Sequence, residues 1–386
     1  MYKVFTKTEK DTWDDISRQA YGTPEKGGDI ARLNNNIESG EVLVLEESET
    51  ETDDVQVEGE IYLRHGDVNY SDFSECTLFD GLESVKGALF IFNQTGGDYD
   101  FSFTDSVMVV DEQGLFLKGR IANIRPCLST SANWIQVEVK SHAGILLETD
   151  MPNPFEFSNS SIRGVLEQIA GYYNQKITFS NEAELNEVFT NEIGTSFTAE
   201  KNEKVWDFMR RICRSRGLLI TDTGDGLFIG RYKPNTEEKL NLIDGECLGV
   251  KEIRAEFITD GLARNYEINS QYPTTDTATI QIPFPVPITK RIDSNDCNSL
   301  DLASVGRRFA CSEIGSHFKF YVLLSENLYI KSGDFAVLQN EKIKIFEETD
   351  LVVETVERRH PDETLLVLTL PCAYTYEIPE TLPLCD

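Results

Sequence analysis

The chain is short of positive charge, of histidine and of long apolar runs, and each shortage removes a class of function. Lys and Arg number 36 against 66 Asp and Glu, a net charge of −30, which repels phosphate backbones and anionic membrane surfaces at long range. Direct nucleic-acid binding is therefore not expected. Nowhere does an apolar run reach the ~18 residues of a membrane span, and residues 1–10 are polar where a secretory leader would be basic and then apolar. Neither a membrane span nor a secretory signal is predicted. The histidines His65, His142, His317 and His360 are dispersed, and Cys76, Cys127, Cys213, Cys247, Cys297, Cys311, Cys372 and Cys385 stand singly, without a Cys-x-x-Cys pair. No metal or other cofactor is expected, and the thiols read as those of a protein assembled in a reducing cytoplasm. Missing too are the Gly-x-Ser-x-Gly elbow, His-Glu-x-x-His, and the Gly-rich loops that cradle phosphates.

What is present is material for several packed cores. With 386 residues, 40% of them hydrophobic and 10% aromatic, two to four domains are predicted. Residues 47–60 form an acidic linker: from Glu46 to Glu60 there are eight acidic residues and no basic one. Ahead of it lies a small unit, 1–46. Residues 61–150 carry short β-type runs, Gly87 to Phe92, Ser106 to Val110, Leu115 to Ile121 and Trp134 to Val139, separated by turn clusters. That spacing predicts a barrel-like β domain.

The pattern breaks at Met151-Pro-Asn-Pro154, and 151–235 reads as a small α/β domain. Ile162, Val165, Leu166, Ile169, Ala170 and Tyr173 fall on one helical face after Asn159 and Ser160, which are placed to cap it. A second helix is predicted near Glu203 to Arg214, stopped by Gly217, and a hairpin joins Leu218–Thr221 to Leu227–Arg231. Residues 236–386 return to β-type runs, among them Phe318 to Leu324, Lys342 to Phe346 and Thr364 to Leu370, with one helix near 300–311. The fold class is thus α+β and mainly β.

Two strings invite a chemical reading. Leu218-Leu-Ile-Thr-Asp-Thr-Gly224 has the Asp-Thr-Gly of an aspartic protease, where two carboxylates share a proton. Only one copy exists, and Asp225-Gly226 is ordinary turn chemistry. Asp293-Ser-Asn295 opens like a calcium loop, but Cys297, Asn298 and Ser304 occupy positions that loop needs for ligands and a glycine. No catalytic residue is predicted. Arg210, Arg211, Arg214 and Arg216 form a basic strip in this acidic chain. It reads either as a solvated face or as a surface for an acidic partner, since guanidinium binds carboxylate bidentately.

Residues 1–45 resemble a LysM module: Tyr2-Lys-Val4, Asp11-Thr-Trp13, Ile16, Tyr21-Gly22, Ile30, Leu33, Asn36-Ile37, Gly40 and Val42-Leu-Val-Leu45 carry its β-α-α-β pattern. That resemblance implies either glycan binding or adhesion within a baseplate, with Trp13 and Tyr21 as candidate contact residues or as part of the miniature core. From about Val55 onward the chain resembles the baseplate hubs of contractile-tailed phages, the Mu-type hub and late control protein D family. The stretches that carry this are Ser161-Ile-Arg-Gly-Val-Leu-Glu-Gln-Ile-Ala170, Phe197 to Met209 with Arg216-Gly-Leu-Leu-Ile220, Ala263-Arg-Asn-Tyr-Glu-Ile268, and Leu365 to Tyr374.

The hub resemblance implies two β-barrel-like domains flanking the α/β domain, in a virion baseplate assembled in the host cytoplasm. It also implies a homotrimer that adapts a hexameric tail tube to a trimeric central spike, with other baseplate or wedge proteins held through LysM. DNA and the tape measure protein would pass through the lumen without specific binding. The alternative is a peptidoglycan-binding cell-wall or virion-associated lytic protein.

Overall fold

The computed structural model describes residues 2–7, 12 and 40–45 and, between residues 61 and 384, all but 94–98, 100, 104, 129–132, 153–155, 158–159, 187–196, 235–238, 244–248, 271–275, 295–301 and 326–328. The chain divides into two units, Met1–Glu58 and Gly59–Asp386. In the first, strands β1 (Tyr2–Lys7) and β2 (Gly40–Leu45) pair antiparallel, Tyr2 opposite Leu45 and Lys7 opposite Gly40. The helices expected between them, with Trp13 and Tyr21, and the acidic linker lie outside the described residues.

The second unit opens with seven strands: β3 (Tyr62–His65), β4 (Val68–Tyr70), β5 (Phe73–Gly81), β6 (Gly87–Asn93), β7 (Ser106–Asp111), β8 (Gly114–Leu128) and β9 (Asn133–Ser141). Alternation explains them. Ala88, Phe90 and Phe92 of β6 point inward and face Val139, Val137 and Ile135 across the ladder, while Cys76 and Leu78 of β5 face Phe90 and Ala88. Each such same-face pair contributes a few tenths to about 1 kcal/mol beyond burial.

A middle section follows: α1 (Gly144–Glu148), β10 (Glu156–Phe157), α2 (Ile162–Tyr172), β11 (Ile177–Phe179), β12 (Phe197–Thr198), α3 (Val205–Ser215), β13 (Leu219–Asp222) and β14 (Leu227–Gly230). The expected hairpin is β13–β14, and β11 joins β14 in parallel. Helix α2 buries Ile162, Val165, Leu166, Ile169 and Ala170 against Trp206, Phe208, Met209 and Ile212 of α3. Each large apolar side chain buried there stabilises by about 1.5–3 kcal/mol relative to exposure. The cap of α2 is Ser161 instead of Asn159 or Ser160. Its backbone is extended, and its hydroxyl accepts the Gly164 N–H at 3.1 Å. Gly217 stops α3 as expected, with φ of +69°.

The rest of the chain supplies β15 (Lys239–Ile243), β16 (Val250–Phe257), β17 (Asn265–Ser270), β18 (Thr277–Gln281), β19 (Thr289–Ser294), α4 (Leu302–His317), β20 (Phe318–Leu324), β21 (Phe335–Asn340), β22 (Ile345–His360), β23 (Glu363–Thr369) and α5 (Cys372–Thr375). Helix α4 runs six residues past the predicted end. Burial of Ile314 and Gly315 carries it across a Ser- and Gly-containing stretch of low helix propensity. Lys342–Lys344 is not strand: Asn340 caps a 3-10 turn there by accepting the Lys342 N–H, and Lys344 is left-handed before β22 begins.

A larger departure from independent domains is one sheet of 13 strands, whose main path runs β16-β20-β23-β22-β5-β6-β9-β8-β7-β3-β4. Strand β22 pairs antiparallel with β5, from Thr355 opposite Gly81 to His360 opposite Cys76. The two β regions therefore share a continuous hydrogen-bonded ladder. Among the described residues no helix is long and apolar enough to cross a membrane.

Candidate functional site

The four arginines of the predicted strip have separate partners. Arg210 pairs with Asp207 at 2.8 Å, one turn earlier on α3. Arg211 forks onto Glu203 with two bonds of 2.8 Å, donates to the Thr198 carbonyl at 2.9 Å and lies over the Phe208 ring. Burial alone would raise the Glu203 carboxyl; the Arg211 fork and the Glu200 N–H outweigh it and hold the carboxyl below its usual range. Arg216 donates to the Ser215 carbonyl at 3.3 Å. Arg214 reaches across to Glu83, in the turn between β5 and β6, through two nitrogens, one at 2.8 Å.

That last pair is the centre of a junction. Glu83 sits at φ of +52°, a costly backbone region for a side chain of its size. Two contacts from α3 hold it there: the Arg214 guanidinium on its carboxylate, and the Trp206 indole N–H on its carbonyl at 3.3 Å. The region after β23 closes the third side. Tyr374 donates to Glu354 at 3.1 Å, Lys319 also pairs with Glu354, and the Tyr376 ring packs over Gly217. Burial first, and the Glu83 carboxylate second, push the Tyr376 phenol well above its usual range. Glu83 and Arg214 thus tie the first β region to the α/β core, and Tyr374 packed with Leu219 and Tyr376 over Gly217 bring the last β region onto the same core.

Asp222, the carboxylate of the protease-like string, ends β13 and is 2% exposed. It accepts the Ser141 hydroxyl, the Lys86 N–H at 2.9 Å and the Gly224 N–H at 2.8 Å. Burial raises its carboxyl above the usual aspartate range despite those three donors. What Asp222 meets among the described residues is hydrogen-bond donors, two from the first β region and one from its own turn, and no second carboxylate. It brackets the α/β core onto that sheet. Asp225, on the same turn, pairs with Lys176 at 2.7 Å and Lys118 at 3.4 Å.

Gly224 completes the bracket. Its φ is +91°, its carbonyl accepts the Lys118 N–H at 2.7 Å, and a Cβ there would overlap the Phe116 carbonyl oxygen. Gly224→Ala is expected to destabilise the second unit by about 2–4 kcal/mol, because strained backbone and a backbone clash coincide. Urea titration checks this; a midpoint equal to that of the parent would refute the bracket.

A third tie joins the two β regions directly. Arg358 of β22 pairs with Asp111 at the end of β7, both nearly buried, with the guanidinium between the rings of Phe116 and Tyr329. Sequence reasoning missed Glu83, Asp111 and Arg358. Their partners lie 131 and 247 positions away, beyond any local pattern.

One surface feature also went unread. Strand β8 pairs with β7 only as far as Arg120, whereas its pairing with β9 continues to Leu128. Among the described strands, β8 beyond Arg120 therefore pairs with β9 alone, while β9 itself is also paired with β6 as far as Trp134, so the far end of β8 is an edge of the sheet, with Leu128 84% exposed there.

Residues 143–231, the span from α1 to β14, match the family model described as baseplate hub protein gp44-like, second domain. No curated protein sequence matches the chain. Among solved structures, the 43 kDa tail protein of prophage MuSo2 from Shewanella oneidensis superposes with a TM-score of 0.67 at 15% identity, covering 81% of this chain and 99% of that one. The tail protein from Neisseria meningitidis MC58 gives 0.69 at 14% identity, covering 83% and 99%. A component of the E. coli type VI secretion system, described as structurally similar to the T4 tail proteins gp27 and gp5, gives 0.51 at 9% identity, covering 83% and 80%. At such identities the likeness is one of fold.

Proposed function

We infer that a chain carrying a hub second domain at residues 143–231, within the fold of phage tail proteins, works as a structural hub of a tail baseplate. The observation that carries the inference is the agreement of the two matches: the family model covers the α/β core, and the fold match extends over both β regions around it. The ties at Arg214, Asp222 and Arg358 support it physically. Each joins separate regions of the second unit, as a load-bearing adaptor needs, and Asp222 is held as a bracket and not as a reacting group. The protein is not an enzyme in this reading.

In finer detail, the hub is a homotrimer within the virion. Three chains, each with two barrel-like domains, would present six similar surfaces to a hexameric tail tube and three to a trimeric spike, which closed symmetry permits. The strip from Arg210 to Arg216 borders the junction from which partners would be engaged. Residues 1–46 act as a LysM adhesive toward other baseplate or wedge proteins, with Trp13 and Tyr21 as contact residues, and 47–60 is their tether. A net charge of −30 suits a channel that DNA and the tape measure protein traverse without sticking.

The test is the native mass of the purified chain, by sedimentation equilibrium. Three times the 43.7 kDa chain mass is expected, either alone or on addition of the spike protein. A monomer that stays monomeric with the spike and binds peptidoglycan fragments would overturn the reading.

A further inference from the structure

The two β regions repeat one design. In the first, β7, β8 and β9 form a meander whose middle strand is 15 residues long; in the last, β21, β22 and β23 form one whose middle strand is 16. Each middle strand pairs with the strand before it only in its first half, up to Arg120 in β8 and Val352 in β22. Just past that point each has a register irregularity, between Ile121 and Asn123 and between Val353 and Thr355. The order beyond the meander also repeats: β9 is followed by β6 and β5, and β23 by β20 and β16. What differs is the fate of the freed edge. In β22, residues 355–360 are taken up by β5. Among the described strands nothing pairs with the matching edge of β8, residues 123–128, and nothing pairs with β16, the counterpart of β5, on its side away from β20.

We propose that the free edge of β8 takes β16 of a second copy in antiparallel pairing, so that the sheet runs on from chain to chain as it runs from β22 to β5 within one. The proposal rests on the homotrimeric hub reading. The ladders fix the register. Asn123 lies opposite Glu138 as Thr355 lies opposite Val367; following these pairs across β6 and β20 matches Thr77 with Arg254. Arg359 opposite Thr77 within the chain therefore corresponds to Cys127 opposite the partner subunit's Arg254. In the same register Ile124 falls opposite the partner's Phe257, Arg125 opposite the partner's Glu256 and Leu128 opposite the partner's Ile253.

The side chains suit that register. Arg125 is exposed, within a stretch from 114 to 137 that holds no acidic residue. Glu256 is exposed too, and its carboxylate accepts the Tyr321 hydroxyl at 3.1 Å with acceptor capacity to spare. Opposite charges directly across a ladder attract. The apolar positions agree. At the joint within the chain Val356, Leu78 and Cys76 are each 1% exposed. Their counterparts at the free edges, Ile124 on β8 and Ala255 and Ile253 on β16, are only half-buried, and a further strand would finish covering them. Pro126, in the place of Arg358, carries no N–H, which an edge strand tolerates and which discourages pairing with unsuited strands. The contact is head-to-tail, β8 of each copy meeting β16 of the next, and a closed trimer satisfies every such edge.

The experiment follows assembly of the full chain against concentration by sedimentation, alone and with the spike protein. Arg125→Glu and Glu256→Arg each set like charges opposite one another, and each is expected to raise the concentration at half-assembly by about tenfold or more. The isolated chains should melt as the parent does. Combining the two changes should restore assembly, which damage to the fold would not do. Arg254→Cys tests the register: a short bis-maleimide should join it to Cys127 of the partner subunit, giving species of two and three chain masses, and adding Cys127→Ala should abolish them. Single changes that leave assembly of the parent unmoved, or a cross-link confined to one chain, overturn the edge pairing while a trimeric parent keeps the hub reading in place. A parent that never associates overturns both.

Discussion

Arg214→Met is expected to melt several degrees below the parent chain, with a loss of about 3 kcal/mol in the second unit. The asymmetry of burial sets the size of the effect. The Glu83 side chain is 3% exposed and that of Arg214 43%. Removing the arginine strands a carboxylate that cannot reach water, whereas removing the carboxylate leaves a guanidinium that can rehydrate. Glu83→Gln should therefore cost clearly less than Arg214→Met. Adding Glu83→Gln to Arg214→Met should recover part of the loss, because a neutral amide is cheaper to leave buried than an uncompensated charge. Calorimetry on the three variants closes the cycle. Strict additivity of the two single changes would mean that the pair does not hold the junction.

Asp222→Asn is the second large effect, at about 2 kcal/mol of lost stability. The side chain is nearly isosteric, so the loss comes from hydrogen-bond geometry. Both carboxylate oxygens accept backbone N–H groups, one from Lys86 and one from Gly224. Asparagine offers one oxygen, and its amide nitrogen must face the remaining N–H. The pH dependence separates charge from geometry. Since burial raises the Asp222 carboxyl in the folded chain, the folded state takes up this proton before the unfolded state does. The ionised side chain costs stability at neutral pH, and that cost is relieved as pH falls through the raised value toward the ordinary aspartate range. Asparagine cannot gain this relief. The stability gap between parent and Asp222→Asn should widen as pH falls from neutral toward the ordinary aspartate range in urea titrations; a gap that narrows on acidification would refute the assignment.

Much of the fold is legible in the sequence because it is set locally. The period of Ile162 to Ala170 and of Val205 to Cys213 specifies helices, Asp225-Gly226 specifies a turn, and the alternation of Phe318 to Leu324 specifies a strand. The expected strand Lys342–Phe346 begins only at Ile345, for a local reason too: the capping Asn340 and left-handed Lys344 hold the residues before it in a 3-10 turn. The junctions are not legible in this way. A glutamate in a turn and an arginine on a helix look like surface residues until the fold brings them together. The faint signals were a basic helix in an acidic chain and an aspartate placed at the end of an apolar strand.

The pairing of β5 with β22 puts Cys76 opposite His360, so the first β region waits for the last before its ladder is complete. A chain growing on the ribosome at about 5–20 residues per second would hold an open β5 edge for many seconds. Such an edge is a template for wrong pairing, and closing it late is slow because the loop entropy is paid before the contact is made. The continuous sheet that makes the finished molecule stiff therefore makes its synthesis a period of exposure to aggregation.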